Sequence, residues 1–285
     1  MNKGWHANPF LFMQLHCGKF TLDLTAPRVM GIVNVTPDSF SDGGRYVSTQ
    51  KAVSHALQLV EEGADILDIG GESTRPGAAP VPLQEELDRV MPVLESLVKQ
   101  VNIPISIDTY KPQVMRAAIA AGASMVNDVR ALQEEGALAA VANSDVAVCL
   151  MHMQGTPQTM QEHPHYDDVV HEVTSFLTAR LQACLDAGIR VSRIVLDPGF
   201  GFGKTREHNI LLARELGVFC ALGQPVLVGL SRKSVLGQVT GNDVDARLHA
   251  SVAAAVISAM KGAKILRVHD VAATKEALKI VSAIE

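Results

Sequence analysis

The sequence predicts an α/β fold: a single (β/α)8 TIM barrel led by a short N-terminal hairpin, with residues 1–285 forming one domain. Three observations predict it. Eight short apolar, β-branched runs recur along the chain, longer stretches with helical spacing separate them, and polar residues follow almost every run. Eight repeats favour a closed barrel over an open doubly wound sheet, and 285 residues is an ordinary length for one barrel.

The strands are expected at Val29–Asn34, Asp65–Gly70, Ile105–Asp108, Met125–Asp128, Val146–Met151, Ile194–Asp197, Val226–Leu230 and Ile265–Val268. The stretch before the first strand is read as a hairpin that caps the barrel floor. Between the strands lie amphipathic stretches such as Lys51–Glu62, Leu83–Gln100 and Val169–Ala187. Gly63, Gly122, Gly188 and Gly262 sit where helices should stop, a few residues before a strand. Two long Pro/Gly-rich segments, Val35–Ser48 and Ser73–Pro82, follow the first and second strands. Loops of that length in a compact barrel are functional or disordered, and the Thr, Ser and Arg content here favours lids.

Composition narrows the class. Hydrophobic residues make up 47% and aromatics only 4%, so the core should be packed by aliphatic side chains and alanine. The net charge is −5 and no long basic block occurs, which argues against nucleic acid or an anionic membrane as partner. The apolar run Ala250–Met260 is far shorter than the ~20 residues that span a bilayer, and it reads as a buried helix. Phe10–Leu15 is too brief for a signal-peptide core, so a cytoplasmic location is expected. Cys17, Cys149, Cys184 and Cys220 are widely separated, form no CxxC pair and read as free thiols.

The strand ends carry the chemistry. In order they are Asn34, Asp68-Ile69-Gly70-Gly71-Glu72, Asp108, Asn127-Asp128, Met151-His152-Met153-Gln154, Asp197-Pro198-Gly199, Ser231-Arg232-Lys233-Ser234 and Arg267-Val268-His269-Asp270. One acid after a strand is as readily a helix cap as a functional group. Eight polar endings on the face where barrel enzymes place their sites make a site. The last two endings supply Arg232, Lys233, Arg267 and His269 in loops that commonly bind phosphate, with Ser231 and Ser234 beside a helix start. Surface salt bridging is the alternative reading for Arg232 or Arg267, and it stays open for Arg232 alone. Asp108, Asn127 and Asp197 offer acceptors and an amide, a set suited to a flat, guanidine-like heterocycle.

Two apparent motifs fail. Gly203-Lys204-Thr205 resembles the end of a P-loop, but the first glycine that motif requires falls on Pro198. His152, His163 and His165 have no HExxH or cysteine partner, so a structural zinc is not expected.

Longer motifs resemble a known family. The run Gly31-Ile32-Val33-Asn34-Val35-Thr36-Pro37-Asp38-Ser39-Phe40-Ser41-Asp42-Gly43-Gly44 is similar to the first signature of the dihydropteroate synthases. Gly70-Gly71-Glu72-Ser73-Thr74-Arg75-Pro76-Gly77 resembles their second signature. Asp197-Pro198-Gly199-Phe200-Gly201-Phe202-Gly203-Lys204, Ser231-Arg232-Lys233-Ser234 and Arg267-Val268-His269 resemble their later motifs, so the likeness runs from about Met30 to His269.

The resemblance implies a folate-biosynthesis transferase that condenses (7,8-dihydropterin-6-yl)methyl diphosphate with 4-aminobenzoate to 7,8-dihydropteroate and diphosphate. It implies a catalytic set of Asp108, Lys233 and Arg267. The pterin diphosphate would meet Thr74, Arg75, Asp108, Asn127, Asp197, Lys233, Arg267, Val268 and His269. The 4-aminobenzoate pocket would be Phe40, Thr74, Pro76, Phe202, Lys233 and Ser234, where sulfonamide antibacterials compete. Asn34 would ligate Mg2+ on the diphosphate. A homodimer is the expected assembly, and the apolar segments Ala250–Met260 and Ala272–Ile284 either form its face or pack on the barrel. Tyr110 stands where some members have a small hydroxylated residue, which leaves Asp108 unaffected.

The physical logic agrees. Diphosphate leaves readily once cations neutralise its oxygens, and Mg2+ binds substrate phosphates with few protein ligands. C–O cleavage is expected to run ahead of attack, giving a pterin-methyl cation stabilised by its ring and Asp108. A corrinoid-linked methyltransferase would share the pterin set but lack the Ser231–Ser234 and Arg267–His269 cluster. A pterin-binding subunit without chemistry would have lost a lid or Asp108. An aldolase using Lys233 would need an apolar pocket, whereas Arg232 and Ser234 suggest a wet anion site.

Overall fold

The computed structural model describes residues 14–35, 44–73 and 77–284, with side chains in the first helix described from residue 48. Strands β1 (Gln14–Cys17) and β2 (Phe20–Asp23) form an antiparallel hairpin with Gln14 opposite Asp23. Then β3 (Arg28–Asn34), α1 (Gly44–Glu61), β4 (Ile66–Gly70), α2 (Leu83–Leu97), β5 (Ile105–Asp108) and α3 (Pro112–Ala120) alternate. They are followed by β6 (Met125–Asp128), α4 (Ala137–Ala142), β7 (Ala147–Met151), α5 (Val169–Asp186), β8 (Ile194–Asp197), α6 (Arg206–Arg214) and α7 (Leu216–Cys220). The chain ends with β9 (Leu227–Val228), α8 (Ser234–Thr240), α9 (Leu248–Met260), β10 (Ile265–Val268) and α10 (Val271–Ile284).

The eight later strands form one parallel sheet in the order β8-β7-β6-β5-β4-β3-β10-β9. It closes into a barrel through the bridge between Leu196 and Val226 and the 2.9 Å bond from Leu196 N–H to the Pro225 carbonyl. The expected (β/α)8 barrel and the hairpin are both present.

Strand side chains alternate, and because helices cover the outside both alternations are apolar. Val29, Val33, Leu67, Ile69, Ile107, Val126, Val148, Leu196 and Leu266 point outward into the helix layer. Met30, Ile66, Met125, Ala147, Cys149, Val195, Leu227 and Ile265 point inward, where Leu15, Cys17 and Leu24 from the hairpin region join them. The hairpin is therefore a plug. Burying a leucine such as Leu15 contributes on the order of 2 kcal/mol. Two residues further along, the inner row turns polar on five of the eight strands. Asp68 follows Ile66, Asp108 follows Ser106, Asn127 follows Met125, Asp197 follows Val195 and Arg267 follows Ile265.

Several boundaries differ from expectation. The seventh barrel strand, expected at Val226–Leu230, is only Leu227–Val228, because Pro225 has no N–H and the Leu230 carbonyl accepts from Lys233 N–H in a turn. Helix α1 begins at Gly44, so the first long connection is shorter than Val35–Ser48. Helix α2 ends at Leu97, and Gln100 N–H returns to the Leu97 carbonyl in a terminal turn. Gly63, Gly122, Gly188 and Gly262 all take left-handed backbone after helices, as read from sequence. The run Ala250–Met260 is helical but buried on one face only: Ser251, Ala255 and Ala259 are buried, whereas Ile257 is 53% and Met260 60% exposed.

Candidate active site

The polar inner row converges at the open end of the barrel. Arg267 lies at its centre, donating from Nε to Asp68 Oδ2 at 2.6 Å and from Nη2 to Asp108 Oδ2 at 2.9 Å. Asn127 Nδ2 donates to the same Asp68 oxygen at 3.1 Å. This bond fixes the Asn127 amide with its nitrogen toward Asp68, leaving its oxygen as an acceptor. Asp197 accepts from Gly199 N–H at 2.7 Å.

Burial dominates the electrostatics. It pushes the Asp108 carboxyl up to about 7; Arg267 opposes the rise and Asp68 adds to it. It also raises Asp197, against the pull of Lys233. It lowers Lys233 to about 8, with Asp197 working to keep the charge and Arg267 against it. For Arg267 burial acts downward, but Asp68 and Asp108 outweigh it and hold the guanidinium firmly charged. Such opposed shifts in one concavity mark functional sites.

The turn after β9 explains how two adjacent cations part company. Arg232 has a left-handed backbone, φ 57°, a conformation that costs roughly 1–2 kcal/mol for a residue with Cβ. Its N–H donates to Ser251 Oγ at 2.9 Å, and its guanidinium forks onto Asp270 at 3.0 and 2.5 Å. Of the two readings of Arg232, the salt bridge is the one found. Lys233 turns inward instead, donating to the Phe200 carbonyl and lying 4.6 Å from the centre of the Phe202 ring. The wet anion site expected around this lysine is corrected by that setting of carbonyl, aromatic face and buried acid. A Cβ added at Gly229 would lie 3.9 Å from both Lys233 Nζ and Arg267 Cβ, so that glycine keeps the space between the two cations open.

Asp108, Asn127, Asp197, Lys233 and Arg267 are thus brought together. Phe202 and Lys233 meet, and Ser234 is exposed at the first position of α8. Asn34 is exposed at the end of β3, paired in register with Gly70. His269 lies beside Ser231, with Nδ1 3.1 Å from its Oγ and its N–H donating to the same oxygen at 3.1 Å. Val268 points into the outer core, so only its backbone faces the barrel end. Phe40, Thr74, Arg75 and Pro76 lie outside the described residues.

Two strand-end residues separate in role. Asp128 is a cap: it accepts from Arg130 and Leu132 N–H at 2.7 and 2.8 Å. Asp68, given no role in the sequence reading, is fully buried and holds both Arg267 and Asn127. Its signal was its place one residue after the apolar pair Ile66-Leu67, level with the other inward acids. His152 is buried and pulled down to about 3, by burial first and the Lys204 charge second. Among the described residues no group of three His, Cys, Asp or Glu could hold a metal.

Known proteins are similar to this chain over most of its length. The family model for pterin binding enzymes matches residues 30–269. The dihydropteroate synthase of Escherichia coli K12 is 51% identical over 271 residues, covering 95% of this chain and 96% of the relative. A Xanthomonas albilineans dihydropteroate synthase solved with 4-aminobenzoic acid has a TM-score of 0.91 at 56% identity, covering 96% of this chain and 98% of that one. A Yersinia pestis dihydropteroate synthase in complex with a sulfonamide drug has a TM-score of 0.91 at 50% identity, covering 95% and 99%. The match spans the barrel from β3 to β10 and every residue of the polar inner row, and the chain belongs to the dihydropteroate synthase family of pterin-binding enzymes.

Proposed function

We propose that this chain condenses (7,8-dihydropterin-6-yl)methyl diphosphate with 4-aminobenzoate, releasing diphosphate and forming 7,8-dihydropteroate. The observation that carries the reading is the single cup in which Asp108, Asn127, Asp197, Lys233 and Arg267 meet. The relatives' bound 4-aminobenzoic acid and sulfonamide support an arylamine subsite, placed here at Phe202, Lys233 and Ser234. Phe40, Thr74 and Pro76 are proposed to complete it, and sulfonamides to compete there.

In this reading the acceptors of Asp108, Asp197 and Asn127 grip the pterin edge, with Lys233 beside them. Arg267, held by Asp68, supplies positive charge to the departing phosphate, joined by His269, the Val268 backbone, Thr74 and Arg75. The C–O bond breaks with its electron pair leaving on the diphosphate. The ionised Asp108 stabilises the carbocation left on the pterin methyl carbon. The arylamine lone pair then closes the C–N bond, and its proton is lost to solvent or phosphate. Asn34 presents one exposed amide oxygen at the mouth, which fits an ion that keeps water and substrate phosphates as its other ligands. Mg2+ held there would neutralise diphosphate charge.

The whole chain, residues 1–285, is proposed as one functional domain working in the cytoplasm. Among the described residues no helix is long and apolar enough to cross a membrane, and all four cysteines are free thiols. A homodimer is proposed through the apolar residues that α9 and α10 leave exposed, among them Ile257, Met260, Ile280 and Ile284. The test of function is incubation with both substrates and Mg2+. Diphosphate release that requires the arylamine is expected. Release without it, or none at all, overturns the reading.

A further inference from the structure

The loop after β8 has an unusual supply of side-chain donors. Five successive carbonyls are each met by one: Gly199 by Lys204 Nζ at 2.9 Å, Phe200 by Lys233, Gly201 by Gln161 Nε2 at 2.6 Å, Phe202 by Lys204 Nζ at 3.0 Å, and Gly203 by the Tyr166 hydroxyl at 2.8 Å. Lys204 donates twice in this set, is only 2% exposed, and has His152 Nδ1 as a further acceptor at 2.9 Å. Its Nζ is thus enclosed by acceptors on three sides.

The loop cannot settle elsewhere. A Cβ at Gly199 would lie 1.8 Å from the His152 carbonyl oxygen, and one at Gly203 2.5 Å from that of Gln154, so the backbone is pressed against the segment after β7. Both glycines have left-handed backbone that other residues rarely adopt. Between them the loop presents two groups to the cup: the Phe200 carbonyl, which holds Lys233, and the Phe202 ring, which covers it. The lysine that failed as part of a P-loop is thereby tied to the arylamine pocket from behind.

We propose that Lys204 is a positioning residue for the arylamine subsite, fixing the loop that carries Phe202 while touching neither substrate. The proposal rests on the function assigned above. It predicts an asymmetric defect: Asp108, Asn127 and Asp197 stand on strands and keep most of the pterin grip, while Phe202 and Lys233, which the loop holds, loosen the arylamine wall.

The experiment uses the full-length chain with Lys204→Met, which keeps an unbranched side chain one atom shorter and removes the donors. Displacing a binding group by about 1 Å can cost up to a hundredfold, so KM for 4-aminobenzoate should rise about tenfold. The Kd for the pterin diphosphate, measured by calorimetry without arylamine, should rise by clearly less, at most about threefold, because of its partners only Lys233 rests on this loop. Tyr166→Phe, a milder change that frees only the Gly203 carbonyl, should raise the arylamine KM in the same direction, and it decides alone if Lys204→Met does not fold. An unchanged arylamine KM, or equal losses for both substrates, overturns the proposal while a working wild type leaves the functional reading standing. A wild type without arylamine-dependent diphosphate release overturns both.

Discussion

Replacing Arg267 with methionine tests the centre of the site. The guanidinium bonds Asp68 at 2.6 Å and Asp108 at 2.9 Å, and its side chain is only 20% exposed. Methionine keeps the bulk and leaves two carboxylates facing a neutral group, Asp68 being fully buried. Breaking a buried pair by removing one partner costs about 3–5 kcal/mol, and the partial exposure of Arg267 places this case near 3. For a chain of this size that is a fall in Tm of roughly 5 °C.

The loss should depend on pH, with a definite sign. Burial already raises the folded pKa of Asp108 to about 7, well above its ordinary 3.8, and Arg267 restrains that rise. Without Arg267 it rises further, so the folded variant binds a proton that the unfolded chain gives up between those values. Stability then falls as pH increases through that window, and acid relieves the damage. Thermal melts of wild type and variant at pH 8 and pH 6 should show the larger gap at pH 8. A gap equal at both pH values, or below about 1 kcal/mol, would refute the account of Arg267 as the charge that restrains the rise of Asp108.

Other outcomes follow from the same geometry. Asp68→Asn should raise KM for the pterin diphosphate by about tenfold, since Arg267 and the Asn127 amide lose their common acceptor, a charge-assisted bond worth roughly 1.5–3 kcal/mol; unchanged steady-state kinetics would remove Asp68 from the positioning role. The pH profile of kcat/KM should be a narrow bell, rising as Asp108 ionises near 7 and falling as Lys233 loses its proton near 8. A profile flat from pH 6 to 9 would contradict both assignments. Arg232→Ala should leave KM for the pterin diphosphate unaltered and cost at most about 1 kcal/mol in urea unfolding, because its bridge to Asp270 is partly solvated; a large KM effect would return Arg232 to the anion site.

Much of the architecture was legible because each strand is covered on both faces and so reads as an unbroken apolar run. The exception is instructive: β9 keeps only Leu227–Val228, since Pro225 and the turn at Leu230 remove ladder partners that apolarity alone suggested. The site was legible as a set of strand-end polar residues, but their roles were less so. Asp128 and Asp68 are both buried acids within strands, yet one caps a turn and the other anchors an arginine, because the inward or outward phase of the strand decides it. Arg232 and Lys233 are neighbours of the same charge, and a left-handed twist at one residue sends them to opposite sides. Lys204 was legible as the end of a motif, but its role was not, because three of its four acceptors are backbone carbonyls.

The barrel's seam gives the cup two walls of unequal stiffness. Strands β3 and β4 share five register pairs, whereas β8 meets its other neighbour through the lone Leu196–Val226 bridge. Asp197 stands on one lip of that seam and Lys233 follows the strand on the other lip. Thermal parting along the seam would therefore widen the slot between these two groups while Asp108 and Asn127, on well-laced strands, hold still. A ring seated there would act as a clasp across the gap, slowing amide exchange at Leu196 and leaving Leu67 as protected as before.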